Sequence, residues 1–80
     1  ATLRSEAVRG ALHAVEAEPE LRAALLSAVN SMDDSTLVGM LRGTAGERAE
    51  EVAMNVATQT RVGELRVKAS SVLQALRNGR

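Results

Sequence analysis

The sequence predicts an all-α fold, a small bundle of four to five short helices in an orthogonal or antiparallel arrangement, without β-structure. Apolar residues recur three and four positions apart along most of the chain, and no segment alternates between apolar and polar residues as a strand does. Signals that start and stop helices divide the sequence into short segments. At this length we expect a single domain, residues 1–80, within a longer protein.

The first two helices are predicted at about 3–16 and 19–32. Pro19 is favoured at the first helical position, and Glu20 complements the helix dipole. The apolar stripe of each helix follows helical spacing. The first stripe contains Leu3, Val8, Leu12 and Val15, and the second contains Leu21, Leu25, Ala28, Val29 and Met32.

Three further helices are predicted at about 35–42, 45–58 and 61–77. Asp33, Asp34 and Ser35 can each cap the third helix, and Gly43 is expected to end it. Thr44 and Glu47 have the spacing of a capping box, which predicts the start of the fourth helix. The fourth and fifth are expected to be separated by a kink or a short turn, because Thr58, Thr60 and Gly63 lower helix propensity.

The composition predicts a thin core. The chain has no aromatic residue and no cysteine, and alanine supplies 14 of its apolar residues. Aromatic side chains bury about 150–250 Å² each, so a chain without them gains less hydrophobic free energy on folding. We therefore expect closely approaching helices, oligomerisation or a larger parent protein to supply stability. The absence of cysteine favours a cytoplasmic location, and no apolar run approaches the roughly 18 residues of a membrane span.

Charges of opposite sign are separated along the chain. Residues 16–51 hold eight acidic and three basic residues, whereas residues 61–80 hold one acidic and five basic residues. Such asymmetry can mark a nucleic-acid-binding surface. A fold that packs the two segments together would instead neutralise it internally, and we favour this second interpretation.

No residue pattern predicts catalysis or a cofactor. His13 and Glu16 can share one helix face, but two ligands are too few for a zinc site, so we expect no metal. Glu47 and Glu51 can also lie on one face, yet acid–base chemistry needs a site that shifts their pKa values. We expect a protein that is not an enzyme and acts on no small-molecule substrate.

The segment 61–77 carries the strongest indication of function. Its apolar stripe has basic residues on both sides, whose aliphatic stems can cover the edges of an apolar contact while their charges stay hydrated. This pattern predicts a protein–protein interaction or oligomerisation module that docks a helix of another protein or of a second copy. The expected contact residues are Leu65, Val72, Leu73 and Leu76, which we call the C-terminal seam, with Arg61, Arg66 and Lys68 as its rim.

The same segment supports a second interpretation. Residues 65–76, LRVKASSVLQAL, resemble the turn and recognition helix of helix-turn-helix DNA-binding domains, in which a valine such as Val67 is buried in the turn. The sequence departs from that pattern at Arg66, where glycine is usual, and at Val62, where alanine is usual. The resemblance implies a recognition helix near 69–77 that contacts DNA through Lys68, Ser70, Ser71, Gln74 and Arg77.

Overall fold

A computed structural model describes the backbone of residues 2–79 and the side chains of residues 6–79. The described residues contain no β-strand, and the predicted all-α bundle is confirmed. The side chain of Leu3, predicted to belong to the first apolar stripe, lies outside the described residues. The helices are α1 (Thr2–Ala17), α2 (Pro19–Asn30), α3 (Asp34–Ala45), α4 (Ala49–Gln59) and α5 (Gly63–Asn78), with a 3-10 turn at Gly46–Arg48 between α3 and α4.

The connections on either side of α2 follow from local chemistry. Pro19 is the first residue of α2, where its missing N–H costs no helical hydrogen bond. Of the three expected caps of α3, Asp33 takes this position, and its carboxylate accepts a hydrogen bond of 2.8 Å from the backbone N–H of Thr36. This bond satisfies one of the otherwise unpaired N–H groups at the start of the helix.

The connection between α3 and α4 differs from the prediction. Helix α3 continues through Gly43 to Ala45, and α4 begins only at Ala49. The helix ends at Gly46, whose φ of 58° is the only positive value among the described residues, so this glycine takes the role expected of Gly43. Thr44 lies inside α3 and donates its hydroxyl hydrogen to the carbonyl of Met40. The predicted capping box with Glu47 is therefore wrong.

Helices α4 and α5 form the best-packed part of the molecule, and their contact is the most extensive between any two elements. Helix α4 presents an alanine every four residues, at Ala49, Ala53 and Ala57, and all three are buried. These small side chains allow α5 to approach closely. Helix α5 contributes Leu65, Ala69, Val72 and Leu76, which are also buried.

Helix α2 is packed more loosely than α4 and α5. It lies against α1 and α5 and makes no comparable contact with α3 or α4 in the described part of the chain. The molecule measures 36 × 30 × 19 Å, and its shortest dimension matches two layers of helices about 10 Å in diameter. Its accessible surface is 5069 Å².

None of the helices formed by residues 2–79 combines the length and the apolar content that crossing a lipid bilayer requires.

Candidate interaction surface

The C-terminal seam lies inside the molecule. Leu65, Val72 and Leu76 are exposed by only 5%, 4% and 3%, and Leu73 is half-buried against the same core. Val72, Leu73 and Leu76 pack in one cluster with two alanines of α4 and with aliphatic side chains of α3. Docking of a partner helix by these four residues stays a prediction, which the burial of Leu65, Val72 and Leu76 by their own chain does not favour. A helical stripe that completes a core has the same sequence pattern as one that binds a partner.

The predicted rim residues hold the fold together through hydrogen bonds and an ion pair. A guanidinium nitrogen of Arg66 donates a hydrogen bond of 2.8 Å to the carbonyl of Thr60. This bond connects the first turns of α5 to the turn that precedes the helix. Lys68 pairs with Asp34 at 3.2 Å. Arg61 contributes its backbone N–H, which donates to a carboxylate oxygen of Glu16 at 3.1 Å. These contacts join α5 and the turn before it to α1 and α3.

The structure does not contain the turn that the helix-turn-helix resemblance implies. Residues 65–68 belong to a helix that runs without interruption from Gly63 to Asn78. Val67, which the resemblance would bury, is 72% exposed. A recognition helix starting near residue 69, with a turn before it, is therefore corrected to one continuous helix, because Gly63 starts this helix instead of interrupting it.

Most of the polar residues that the resemblance assigned to DNA have partners within the chain. Lys68 and the hydroxyl of Ser71 both bind the carboxylate of Asp34, and Arg77 pairs with Glu50 at 3.5 Å. Gln74 donates to Asn78 at 3.5 Å, and Ser70 is exposed. Acidic groups of α3 and α4 thus offset basic charge on α5. The two oppositely charged segments meet in the fold, as the favoured interpretation of the charge pattern predicts.

The pKa values of the two aspartates at the start of α3 reflect these contacts. The hydrogen bond from Ser71 and then the ammonium group of Lys68 lower the pKa of Asp34 from its ordinary value. Hydrogen bonds from Thr36 lower the pKa of Asp33. Both carboxylates are therefore stabilised in the charged form, which favours the first turn of α3 and its attachment to α5.

The described part of the chain forms an open apolar groove with a cavity of about 290 Å³. All five helices contribute to its wall, and the half-buried leucines and valines of α2, α3 and α4 form much of it. Of the described residues in this wall, only Thr44 and Lys68 have polar side chains. The lining residues are Leu12, Leu25, Val29, Leu37, Met40, Leu41, Thr44, Val52, Ala53, Val56, Leu65, Lys68, Ala69 and Val72.

The apolar groove exists because side-chain volume is distributed unevenly in this chain. Helix α4 contacts α5 mainly through alanine. Val52 and Val56 lie beside this contact, and their side chains are only half-buried. No residue of α2 or α3 in the described chain is buried, although both helices carry leucines and valines. Without aromatic side chains, the chain has nothing large enough to close the remaining space.

A second, polar cluster surrounds Glu16, which is only 7% exposed. One oxygen of its carboxylate accepts from the hydroxyl of Thr60 at 2.5 Å, and the other accepts from the backbone of Arg61. The Thr60 hydroxyl oxygen also accepts from the backbone N–H of Val62 at 3.1 Å. We call Glu16 and Thr60 the buried latch, because they attach the end of α1 to the turn between α4 and α5.

The buried latch and the apolar groove were not predicted from the sequence. Glu16 was considered only as a metal ligand with His13, and the described side chains contain no group of three or more that could hold a metal ion. The sequence contains one indication of the groove. The large aliphatic residues of α2 and α3 outnumber their alanines, whereas α4 packs against α5 through alanine.

Comparisons with protein-family models, with curated proteins and with solved structures found no match for this chain.

Proposed function

We propose that this domain is a non-catalytic interaction module, in a cytoplasmic protein, that binds one amphipathic helix of a partner protein in the apolar groove. The observation that carries the proposal is the groove itself, a cavity of about 290 Å³ that opens to the surface and has an almost wholly aliphatic wall. Helix-binding grooves in other proteins accept apolar side chains spaced three, four and seven residues apart. The groove includes Leu65 and Val72 of the C-terminal seam and Lys68 of its rim, so the proposal keeps these three predicted contact residues and adds the groove-lining side chains of α2, α3 and α4.

The size of the cavity supports a small number of anchoring side chains. An aliphatic cavity of about 150 Å³ holds one benzene molecule. The apolar groove, at about 290 Å³, therefore has room for two large side chains. Burial of a large apolar side chain contributes about 1.5–3 kcal/mol. Two such side chains would therefore supply a substantial part of the binding free energy of a complex with moderate affinity.

The chemistry of the wall favours apolar side chains over a polar small molecule. Sites for small molecules combine an apolar wall with several polar groups that orient the ligand. Here Lys68 is already paired with Asp34, and Thr44 donates its hydroxyl to the carbonyl of Met40. The exposed Met40 at the edge of the wall suits a helix-binding surface, because methionine adapts its shape to different apolar partners.

Two methionines provide a matched test. Met40 lines the groove and is 54% exposed, whereas Met54 is 42% exposed and is not among the lining residues. A displayed library of amphipathic helical peptides would be selected against the domain, and the affinity of the selected peptides would be measured for the parent, Met40→Glu and Met54→Glu. We expect Met40→Glu to weaken binding more than tenfold, because it places a charge at an apolar contact, and Met54→Glu to change it little.

The proposal fails if no peptide is selected, or if the two methionine variants bind equally well. The mass of the domain in solution, measured across a wide concentration range, addresses the case in which a second copy fills the groove. A dimer that Met40→Glu dissociates and Met54→Glu leaves intact would replace the partner protein with a second copy as the occupant.

A further inference from the structure

A second cavity lies at the buried latch, since Glu16 belongs to its wall, and it is more polar than the apolar groove. It has a volume of about 220 Å³ and is lined by His13, Glu16, Ala17, Arg22, Arg61 and Val62. Its residues come from the end of α1, the first turns of α2 and the turn between α4 and α5. Three nitrogen-containing side chains from three separate elements therefore meet around one opening.

The charges around this cavity are unbalanced. Glu16 is the one acidic residue in its wall, and both of its carboxylate oxygens already accept hydrogen bonds, from Thr60 and from the backbone of Arg61. The guanidinium of Arg22 makes one long hydrogen bond of 3.4 Å, to the carbonyl of Glu16. In the described part of the chain, neither Arg22 nor Arg61 forms an ion pair with an acidic side chain.

Two arginines line this one cavity, and their guanidinium groups suit the chemistry of an oxyanion. Each guanidinium can donate two parallel hydrogen bonds to the oxygens of a carboxylate or a phosphate group. His13 adds a further hydrogen-bond donor, because an imidazole ring carries at least one N–H group.

We propose that Arg22, Arg61 and His13 form a binding site for an oxyanion, a phosphate or carboxylate group of a small molecule. The guanidinium groups of Arg22 and Arg61 hold the oxygens, and the imidazole of His13 donates from the wall formed by α1. The carboxylate of Glu16 stays on the latch side, where its two hydrogen bonds fix the turn that carries Arg61. This site is separate from the apolar groove, so it does not depend on the proposed partner helix.

The site is tested by titrating the domain with sodium phosphate, sodium acetate and sodium chloride at matched ionic strength, observed by two-dimensional NMR of backbone amides and arginine side chains. We expect saturable shifts at residues 13–22 and 60–62 with phosphate, acetate or both, and no saturation with chloride. The salt that saturates at the lower concentration identifies the preferred oxyanion. Shifts that rise linearly with all three salts would overturn the proposal.

A charge-matched pair of variants separates a built site from general attraction of anions. Arg22→Gln with Arg61→Gln removes two charges from the cavity, and it preserves the backbone N–H of Arg61 that binds Glu16. Arg42→Gln with Arg48→Gln removes two charges from residues that do not line the cavity. We expect the first double variant to bind the oxyanion about tenfold more weakly and the second to bind it like the parent.

Equal affinity in the two double variants would overturn the proposal. If the first double variant loses helicity, the single variants Arg61→Gln and Arg48→Gln replace the two double variants. Both side chains are exposed, so we expect neither substitution to disturb the fold.

Discussion

Helices α4 and α5 differ from helix α2 in how they use their apolar residues. Helices α4 and α5 contact each other through small or well-buried side chains, and seven of their residues are buried. Helix α2 has no buried residue, although it carries Leu21, Leu25, Leu26 and Val29. The pair with the smaller side chains is therefore the tighter one, because alanine permits two helices to approach closely and exclude water.

This difference shows that apolar content alone does not determine where a core forms. Large side chains stabilise a bundle only when a neighbouring element is close enough to cover them. In this chain, α4 and α5 cover each other, and the leucines and valines of α2 and α3 surround a space that they do not fill. The consequence is a closely packed pair of helices beside an apolar groove.

The largest expected effect on stability belongs to the core of the helix pair. Leu76 is 3% exposed, and Leu76→Ala should lower the free energy of unfolding by about 2–5 kcal/mol, because it leaves a cavity between α4 and α5. Leu21 is 52% exposed, and Leu21→Ala should change the free energy by less than about 0.5 kcal/mol. Denaturant unfolding measures both, and similar losses would contradict the packing difference.

The buried latch should have the next largest effect. Thr60→Val keeps the shape of the side chain but removes the hydroxyl group that Glu16 and the backbone of Val62 both use. We expect a loss of about 1–3 kcal/mol, because buried polar groups are left without a partner. Thr58→Val is the control, since Thr58 is exposed and bonds only to carbonyls of its own helix. If Thr58→Val lowered the free energy of unfolding as much as Thr60→Val, the hydrogen bonds of the buried latch would not be a specific source of stability.

Enlarging side chains should have opposite effects in the two regions. Val56→Leu adds volume at the wall of the apolar groove, and we expect the free energy of unfolding to stay constant or rise by up to about 1 kcal/mol. Ala49→Val adds volume between tightly packed helices, where overpacking should cost about 1–3 kcal/mol. Thermal and denaturant unfolding compare the two variants. An equal cost at both positions would mean that the groove is closed in solution.

The smallest expected effect concerns the acid sensitivity of the contact between α3 and α5. Because the folded-state pKa values of Asp33 and Asp34 are lowered, their contribution to stability is complete above the unfolded-state pKa of about 3.9. It is lost as the pH falls through the lower folded-state pKa values. Asp34→Asn should therefore reduce the loss of stability in acid, measured by denaturant unfolding across this pH range. The exposed Glu6→Gln serves as the control, and an unchanged acid sensitivity in Asp34→Asn would contradict the assignment.

The sequence predicted much of the fold because helical periodicity and turn chemistry act over short distances. The start of α2 at Pro19 and the cap of α3 among residues 33–35 both follow from local hydrogen bonding. The end of α3 could not be predicted in the same way, since Gly43 and Gly46 are both suitable and only the packed helix decides between them. Local patterns therefore identify the helices better than their ends.

The candidate sites were not predictable, because they depend on distances between helices. The stripe of Leu65, Val72 and Leu76 is compatible with a core or with an interface, and only the position of α4 assigns it to the core. Glu16 and Thr60 are separated by 44 positions in the sequence, and neither belongs to a local motif that would connect them. The apolar groove is a space between helices, which no pattern within one helix describes.

The central claim is that α4 and α5 form the stable part of the molecule and that α2 is held weakly beside an open groove. Native-state hydrogen exchange, resolved by residue, tests it most directly. The account predicts that core amides of α5 exchange only on global unfolding, whereas amides of α2 exchange through local opening with a free energy several kcal/mol lower. Equal protection of α2 and α5 under conditions where both report global unfolding would contradict it, because α2 would then belong to the same cooperative core.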